Sequence, residues 1–180
     1  MVLTEGVEIT GQIVVLRELR RSDLDAMATW PRFVEPELQW ANLDLATERD
    51  RDAWYERNQG TLNRRRFTIW SRDGRALGTI GLRNIDFRYG EGTLGIIINA
   101  GDVSRGVGGD AIATLIRYAF EGLGLRKMYL DVAEGNDRAR RCYDRVGFTQ
   151  IGQHRGTDGI TYIDMVLHRD RFIAMSAGQN

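Results

Sequence analysis

The chain has 180 residues, 42% of them apolar and 28% charged, with 25 basic and 25 acidic side chains and only two prolines. That balance excludes a disordered chain, a collagen-like repeat and a nucleic-acid binder working through a basic excess. One cysteine, Cys142, excludes an internal disulfide framework and a cysteine-rich metal site.

A chain of this length can bury roughly 70% of the surface it exposes when unfolded, enough for a full core. No composition shift or linker divides it, so residues 1–180 read as one domain. The opening MVLTEGVEIT lacks the basic and apolar regions of a signal peptide. The longest apolar run, at residues 94–98, is broken by Gly95 and is too short for a bilayer. A cytoplasmic protein without a membrane span is expected.

Residues 12–17 (QIVVLR) read as a first strand. Ser22, with Asp25 three places on, predicts a capped helix that ends before Trp30-Pro31. Residues 32–46 are apolar but aperiodic, a packed loop or short helix. Thr47 and Asp50 predict a second cap, and Trp54 and Tyr55 anchor the charged helix that follows. Residues 66–71, the Asp73-Gly74 turn, residues 76–85 and residues 93–99 predict an antiparallel meander. Its third strand has Leu94, Ile96 and Ile98 on one face and Ile97 on the other, so both faces read as buried.

After Asn99 comes a glycine-rich loop, then a helix over 111–122 with Ile112, Leu115, Ile116 and Ala119 at helical spacing. A strand at 127–132 and a helix at 137–146 follow, the latter ended by Gly147. Residues 148–152 and 160–168 close the chain as a hairpin, and the polar tail from Ser176 reads as frayed.

The loop carries the information. A strand, then Arg105-Gly106-Val107-Gly108-Gly109, then a helix, can present a nest of N–H groups and a positive helix end to a phosphate. Gly109-Asp110-Ala111 lacks the Gly-Lys-Ser/Thr of a nucleotide P-loop, and Asp110 would repel a triphosphate. Gly106-x-Gly108-x-x-Ala111 fits a dinucleotide fingerprint, but that belongs in a doubly wound parallel sheet, and these strands read as antiparallel.

Residues 96–148 resemble the core of the GCN5-related N-acetyltransferases, the GNAT superfamily. Val103-Ser104-Arg105-Gly106-Val107-Gly108 lies where that family carries Gln/Arg-x-x-Gly-x-Gly/Ala. Asn136, Ala139, Tyr143 and Gly147-Phe148 match its second motif. Leu16-Arg17-Glu18-Leu19-Arg20 with Ser22-Asp23, and Asp158-Gly159 with residues 162–165, are similar to the ribosomal-protein alanine and spermidine acetyltransferase branches. Two positions depart. Val103 replaces the usual Gln/Arg, and Thr93 stands where related branches often carry Glu, leaving the general base open.

The resemblance implies an α/β (α+β) fold: a mixed, mostly antiparallel, seven-stranded sheet, splayed as a V between two central strands, with about four helices. It implies acetyl-CoA as co-substrate and direct transfer to a primary amine, on a small molecule or a protein N-terminus. It places the pantetheine arm along Ile96, Ile97, Ile98 and Asn99. The pyrophosphate falls to Val103, Ser104, Arg105, Gly106, Val107, Gly108 and Gly109, with a further contact from Asn136. Tyr143 is the implied proton donor to the departing thiolate. The acceptor falls to residues 31–45, 87–92 and the closing hairpin, where Trp30, Phe33 and Trp40 either line a pocket or are core. Asp86, Glu91 and Asp164 are candidate proton acceptors. No metal and no nucleic-acid partner are implied, and a homodimer is compatible with the resemblance. The rival reading is a non-catalytic acyl-CoA-binding module.

Overall fold

The computed structural model of the protein describes residues 6–177. Residues 1–5 and 178–180, on which the expectations about a leader and a frayed tail partly rest, lie outside the described residues. The elements run β1 (Glu8–Thr10), β2 (Val14–Glu18), α1 (Asp23–Met27), a 3₁₀ turn (Pro36–Ala41), α2 (Glu48–Asn58), β3 (Arg65–Ser71), β4 (Ala76–Asp86) and β5 (Glu91–Ile98). A short 3₁₀ turn (Ala100–Asp102), α3 (Val107–Arg117) with a π turn (Tyr118–Gly122), β6 (Lys127–Ala133), α4 (Asp137–Val146), β7 (Thr149–Arg155), β8 (Thr161–His168) and α5 (Arg169–Ala177) complete the order.

All eight strands form one sheet, ordered β1-β2-β3-β4-β5-β6-β8-β7. The eighth strand is β1, which pairs antiparallel with β2 at the edge. Among the described residues the single parallel contact is β5 with β6, and this mostly antiparallel sheet excludes the doubly wound dinucleotide fold. α5 is a helix not expected from sequence; it takes Ser176 into its last turn rather than leaving it in a tail.

Helices cover both faces. On one, α3 buries Ala111, Ile112, Leu115 and Ile116 against Ile69, Ile80, Leu82, Leu94 and Met128 of the strands, with Tyr143 of α4 in the same cluster. On the other, Leu19, Leu24, Met27 and Leu45 pack with Trp54 and Tyr55 of α2. The α2 cap forms as expected: Thr47 and Asp50 exchange side-chain and backbone hydrogen bonds. α1 differs. Ser22 makes no side-chain cap; the buried Asp23 carboxylate instead accepts from Arg20 N at 3.0 Å and Thr68 Oγ1 at 2.6 Å. The acid that starts the helix thus fastens it to β3.

Candidate active site

β5 and β6 pair only at Glu91↔Lys127, Gly92↔Met128 and Thr93↔Tyr129. Beyond Thr93 the strands part. β5 stays paired with β4 to Ile98, and β6 with β8 to Ala133, so each half of the sheet continues alone. The slot between them explains one departure from expectation. Ile96, Ile97 and Ile98 are only partly buried, because one edge of β5 has no strand beside it. Backbone groups on that edge lack ladder partners and are open to an extended, amide-bearing ligand.

The loop after β5 leads to the N-terminus of α3. Ser104 at φ 63° and Gly106 at φ 80° turn the chain, and Gly106 is the helix N-cap. Gly106 is therefore required by backbone conformation. Gly108 is not: a Cβ there would find Ile98 Cγ1 at 3.7 Å, an ordinary contact. Its missing side chain leaves a hollow beside the first-turn N–H groups of α3, which have no partner within the helix. A phosphate group fits such a hollow. The Val107 side chain is buried in the core, while its backbone N–H belongs to the first turn of α3. Gly109 faces α4, where a Cβ would lie 3.7 Å from Cys142 Sγ, again an ordinary contact.

Arg105 is exposed, but its guanidinium is 3.5 Å from the buried Asp102 carboxylate, which also accepts from Asn99 Nδ2 at 2.9 Å. Asn99 further accepts from Gly101 N at 3.1 Å, so its side chain shapes the loop. Val103 is partly buried in the same segment. Asp110 is engaged within the protein. Its carboxylate accepts from Gln12 N, Ile13 N and Val14 N at 3.0, 2.8 and 2.9 Å, docking the β1–β2 turn onto α3. A lone acid among glycines offered no signal of that task.

Across the slot, Asn136 caps α4 by accepting from Ala139 N at 3.2 Å. Tyr143 is 7% exposed and meets Phe148 edge-on, with centroids 5.8 Å apart. Burial, then the nearby Cys142 and Asp131, pushes its hydroxyl well above the ordinary tyrosine range, so it holds its proton. Burial also raises the Cys142 thiol, and the His154 ring is engaged with Asp164 at 2.9 Å. That arrangement does not make a thiolate nucleophile.

A cavity of about 110 Å³ opens between the end of β5 and the segment after α1. Ile97, Ile98 and Asn99 line it from the slot side, and Met27, Trp30, Phe33 and Leu43 from the other. Trp30 and Phe33 thus wall a pocket, whereas Trp40 is 53% exposed and does neither task expected of it. Asn42, not singled out in the sequence, clamps this wall by exchanging hydrogen bonds with the Phe33 backbone at 2.7 and 2.9 Å. Of the expected proton acceptors, Asp86 caps the β4–β5 turn through Arg88 N and Tyr89 N. Glu91 sits beside Tyr129 at the closed end of the slot. Asp131 of β6, also not singled out, lies beyond the ladder and close enough to weigh on Tyr143. Among the described residues no group of three or more His, Cys, Asp or Glu is placed to hold a metal, and no helix is long and apolar enough to cross a membrane.

The arrangement can bind an extended ligand with a phosphate at one end, beside a smaller cavity at the end of β5. The family model described as the acetyltransferase (GNAT) domain matches residues 14–149. The Bacillus subtilis protein YdaF, whose name gives it provisionally as a ribosomal N-acetyltransferase, is 33% identical over 96 residues, 53% of this chain and 51% of that protein. The chain thus spans about half the length of the curated relative it matches. The spermidine N-acetyltransferase of Vibrio cholerae, solved with CoA and spermine, superposes with a TM-score of 0.76 at 21% identity, covering 89% of this chain and 98% of that one. A SpeG chimera of the Vibrio cholerae enzyme and hSSAT gives 0.77 at 21% identity, covering 90% and 99%. At that identity the likeness is one of fold.

Proposed function

The chain belongs to the GNAT acetyltransferase family, and from that premise we propose that it is an acetyl-CoA-dependent N-acetyltransferase passing the acetyl group directly to a primary amine. One observation carries the reading: the acceptor-sized cavity shares Ile97, Ile98 and Asn99 with the unpaired edge of β5. A thioester lying in the slot and an amine lying in the cavity would therefore meet without a covalent enzyme intermediate.

Acetyl-CoA supplies the activated acyl group. The backbone of Ile96–Asn99 binds the amide-bearing arm, and the loop from Val103 to Gly109 with the α3 N-terminus receives the pyrophosphate. Asn136 holds the start of α4 in place, and α4 carries Tyr143. Tyr143 keeps a proton at Oη for the departing sulfur. Asp131, on the facing strand, is the carboxylate best placed to take the proton that the amine must lose.

Calorimetry with acetyl-CoA and CoA, followed by a thiol-release assay over a panel of amines, tests the reading. Micromolar-range binding with release on at least one amine is expected. Binding without release on any amine would favour a non-catalytic acyl-CoA-binding module.

A further inference from the structure

Arg66 sits on β3, and its side chain lies flat across the sheet toward the slot. Two glycines make room for it. A Cβ at Gly81 of β4 would meet Arg66 Cδ at 3.0 Å, and a Cβ at Gly95 of β5 would lie 4.0 Å from Arg66 Nη1. The guanidinium thus crosses β4 and reaches β5 just past the last rung of the β5–β6 ladder. Its aim is set. Nε donates to the fully buried Thr79 hydroxyl at 2.8 Å, which donates to the Phe67 carbonyl at 3.0 Å. The Trp54 ring covers it, with its centroid 5.7 Å from Cζ.

Among the described residues no carboxylate pairs with this charge. The residue is partly buried, and its Nη groups have no hydrogen-bond partner among the described residues and reach the surface. Burial, then Arg64 and Arg83, draws it down to about 10, and no acid offsets them. Asp131, the acid on this floor beyond the ladder, is engaged by Arg83 at 3.2 Å. A partly buried cation without a counter-ion is poorly compensated, and the remaining N–H groups of a planar guanidinium suit the two oxygens of an oxyanion. Gly95 lies two residues from Ile97, which lines the acceptor cavity, a step of roughly 7 Å along a strand.

We propose that Arg66 receives an oxyanion of the acceptor, so that the amine acetylated here carries a carboxylate or phosphate a few bonds from its nitrogen. This rests on the acetyltransferase reading above. It sets the chain apart from the neighbour solved with spermine: a second ammonium group at Gly95 would face a guanidinium and be repelled.

Paired amines test it: leucine against leucinamide, β-alanine against its amide, and phosphoethanolamine against ethanolamine, with spermidine alongside. At least one anionic member should exceed its neutral twin in kcat/KM by ~10–100-fold, the size expected of hydrogen bonds between charged groups, mostly through KM. Which pair responds separates carboxylate from phosphate. Arg66→Gln should collapse that ratio toward unity and Arg66→Lys restore part of it, with CoA affinity unchanged in both. A parent protein that acetylates neutral twins or spermidine as well as the anions overturns the proposal and leaves the acetyltransferase reading intact, whether or not a variant folds. A ratio unmoved by Arg66→Gln overturns it too. If no amine is acetylated, the acetyltransferase reading fails, and calorimetry of the same pairs on the CoA complex decides for Arg66, equal affinities overturning it.

Discussion

The guanidinium of Arg83 on β4 meets the carboxylate of Asp131 on β6 at 3.2 Å, across the strand that lies between them. Arg83 is opposite Thr93, the last residue of the parallel ladder, and Asp131 lies two places beyond Tyr129, the ladder partner of Thr93. The pair closes over the start of the slot, where Gly95 offers no side chain to block it. Both side chains are substantially exposed, at 52% and 37%, so the ion pair is worth at most ~1 kcal/mol. Its value is in placing a carboxylate.

Asp131→Asn keeps the shape and removes the charge. As proton acceptor for the amine, Asp131 should cost ~10²–10⁴-fold in kcat when lost. Stability should stay within ~1 kcal/mol of the parent. Steady-state kinetics beside a urea melt checks both, and an unchanged kcat would take Asp131 out of the proton path.

The two motif glycines should fail in different ways. Gly106 is at φ 80°, so Gly106→Ala should cost roughly 1–2 kcal/mol of stability. Gly108→Ala meets only an ordinary contact with Ile98 and should hold or raise Tm. It should nevertheless weaken CoA binding by about tenfold, or ~1.4 kcal/mol, with Gly108→Val weaker still. Parent-like CoA affinity in the valine variant, read by calorimetry, means that this loop is not the cradle.

Tyr143→Phe removes one hydroxyl from a packed ring. Turnover should fall ~10–10³-fold, the lower range for a general acid because a thiolate already leaves readily, with the acceptor KM near the parent value. A core tyrosine without a chemical task would leave turnover unchanged. Because burial raises this hydroxyl, it stays protonated through the ordinary tyrosine value near 10. The kcat profile should therefore show no falling limb below about pH 10 that Tyr143→Phe abolishes. The same shift has a stability consequence. The unfolded tyrosine ionises near pH 10 while the folded one does not, so stability is lost as pH rises above that value. The phenylalanine variant should lose less of it on an alkaline titration of Tm.

Asp110→Ala frees three backbone N–H groups of the β1–β2 turn. A loss of about 1–3 kcal/mol is expected in urea denaturation, with Asp110→Asn recovering part through its remaining acceptor. A stability equal to the parent's would mean that water replaces the carboxylate without cost.

What could be read from residue order is what short-range contacts decide. The Thr47–Asp50 cap, α4 with Asn136 at its start and Gly147 at its end, and the periodic face of α3 all depend on neighbours three or four places apart. The contacts that make the site do not. Asp110 reaches residues 96–98 places away, and Arg83 reaches 48. Arg66 needs glycines on two other strands to fall in its row. Each depends on strand register, which no local pattern announces. α5 was hidden for another reason: it continues directly from β8 with no preceding turn, and the contacts that hold it, Phe172 against Phe120 and Arg171 Nε on the Gly147 carbonyl at 2.7 Å, are long-range.

The short parallel ladder also has a mechanical consequence. Three residue pairs join the strands on either side of the slot, while five residues of β5 run on beyond them. At about 3.3 Å per residue those five form an arm of roughly 17 Å. A rotation of ~5° about the ladder would move the far end by about 1.5 Å, nearly the length of a carbon–carbon bond. The width of the gap at Ile98 therefore follows from the geometry of the Glu91–Thr93 ladder several residues away.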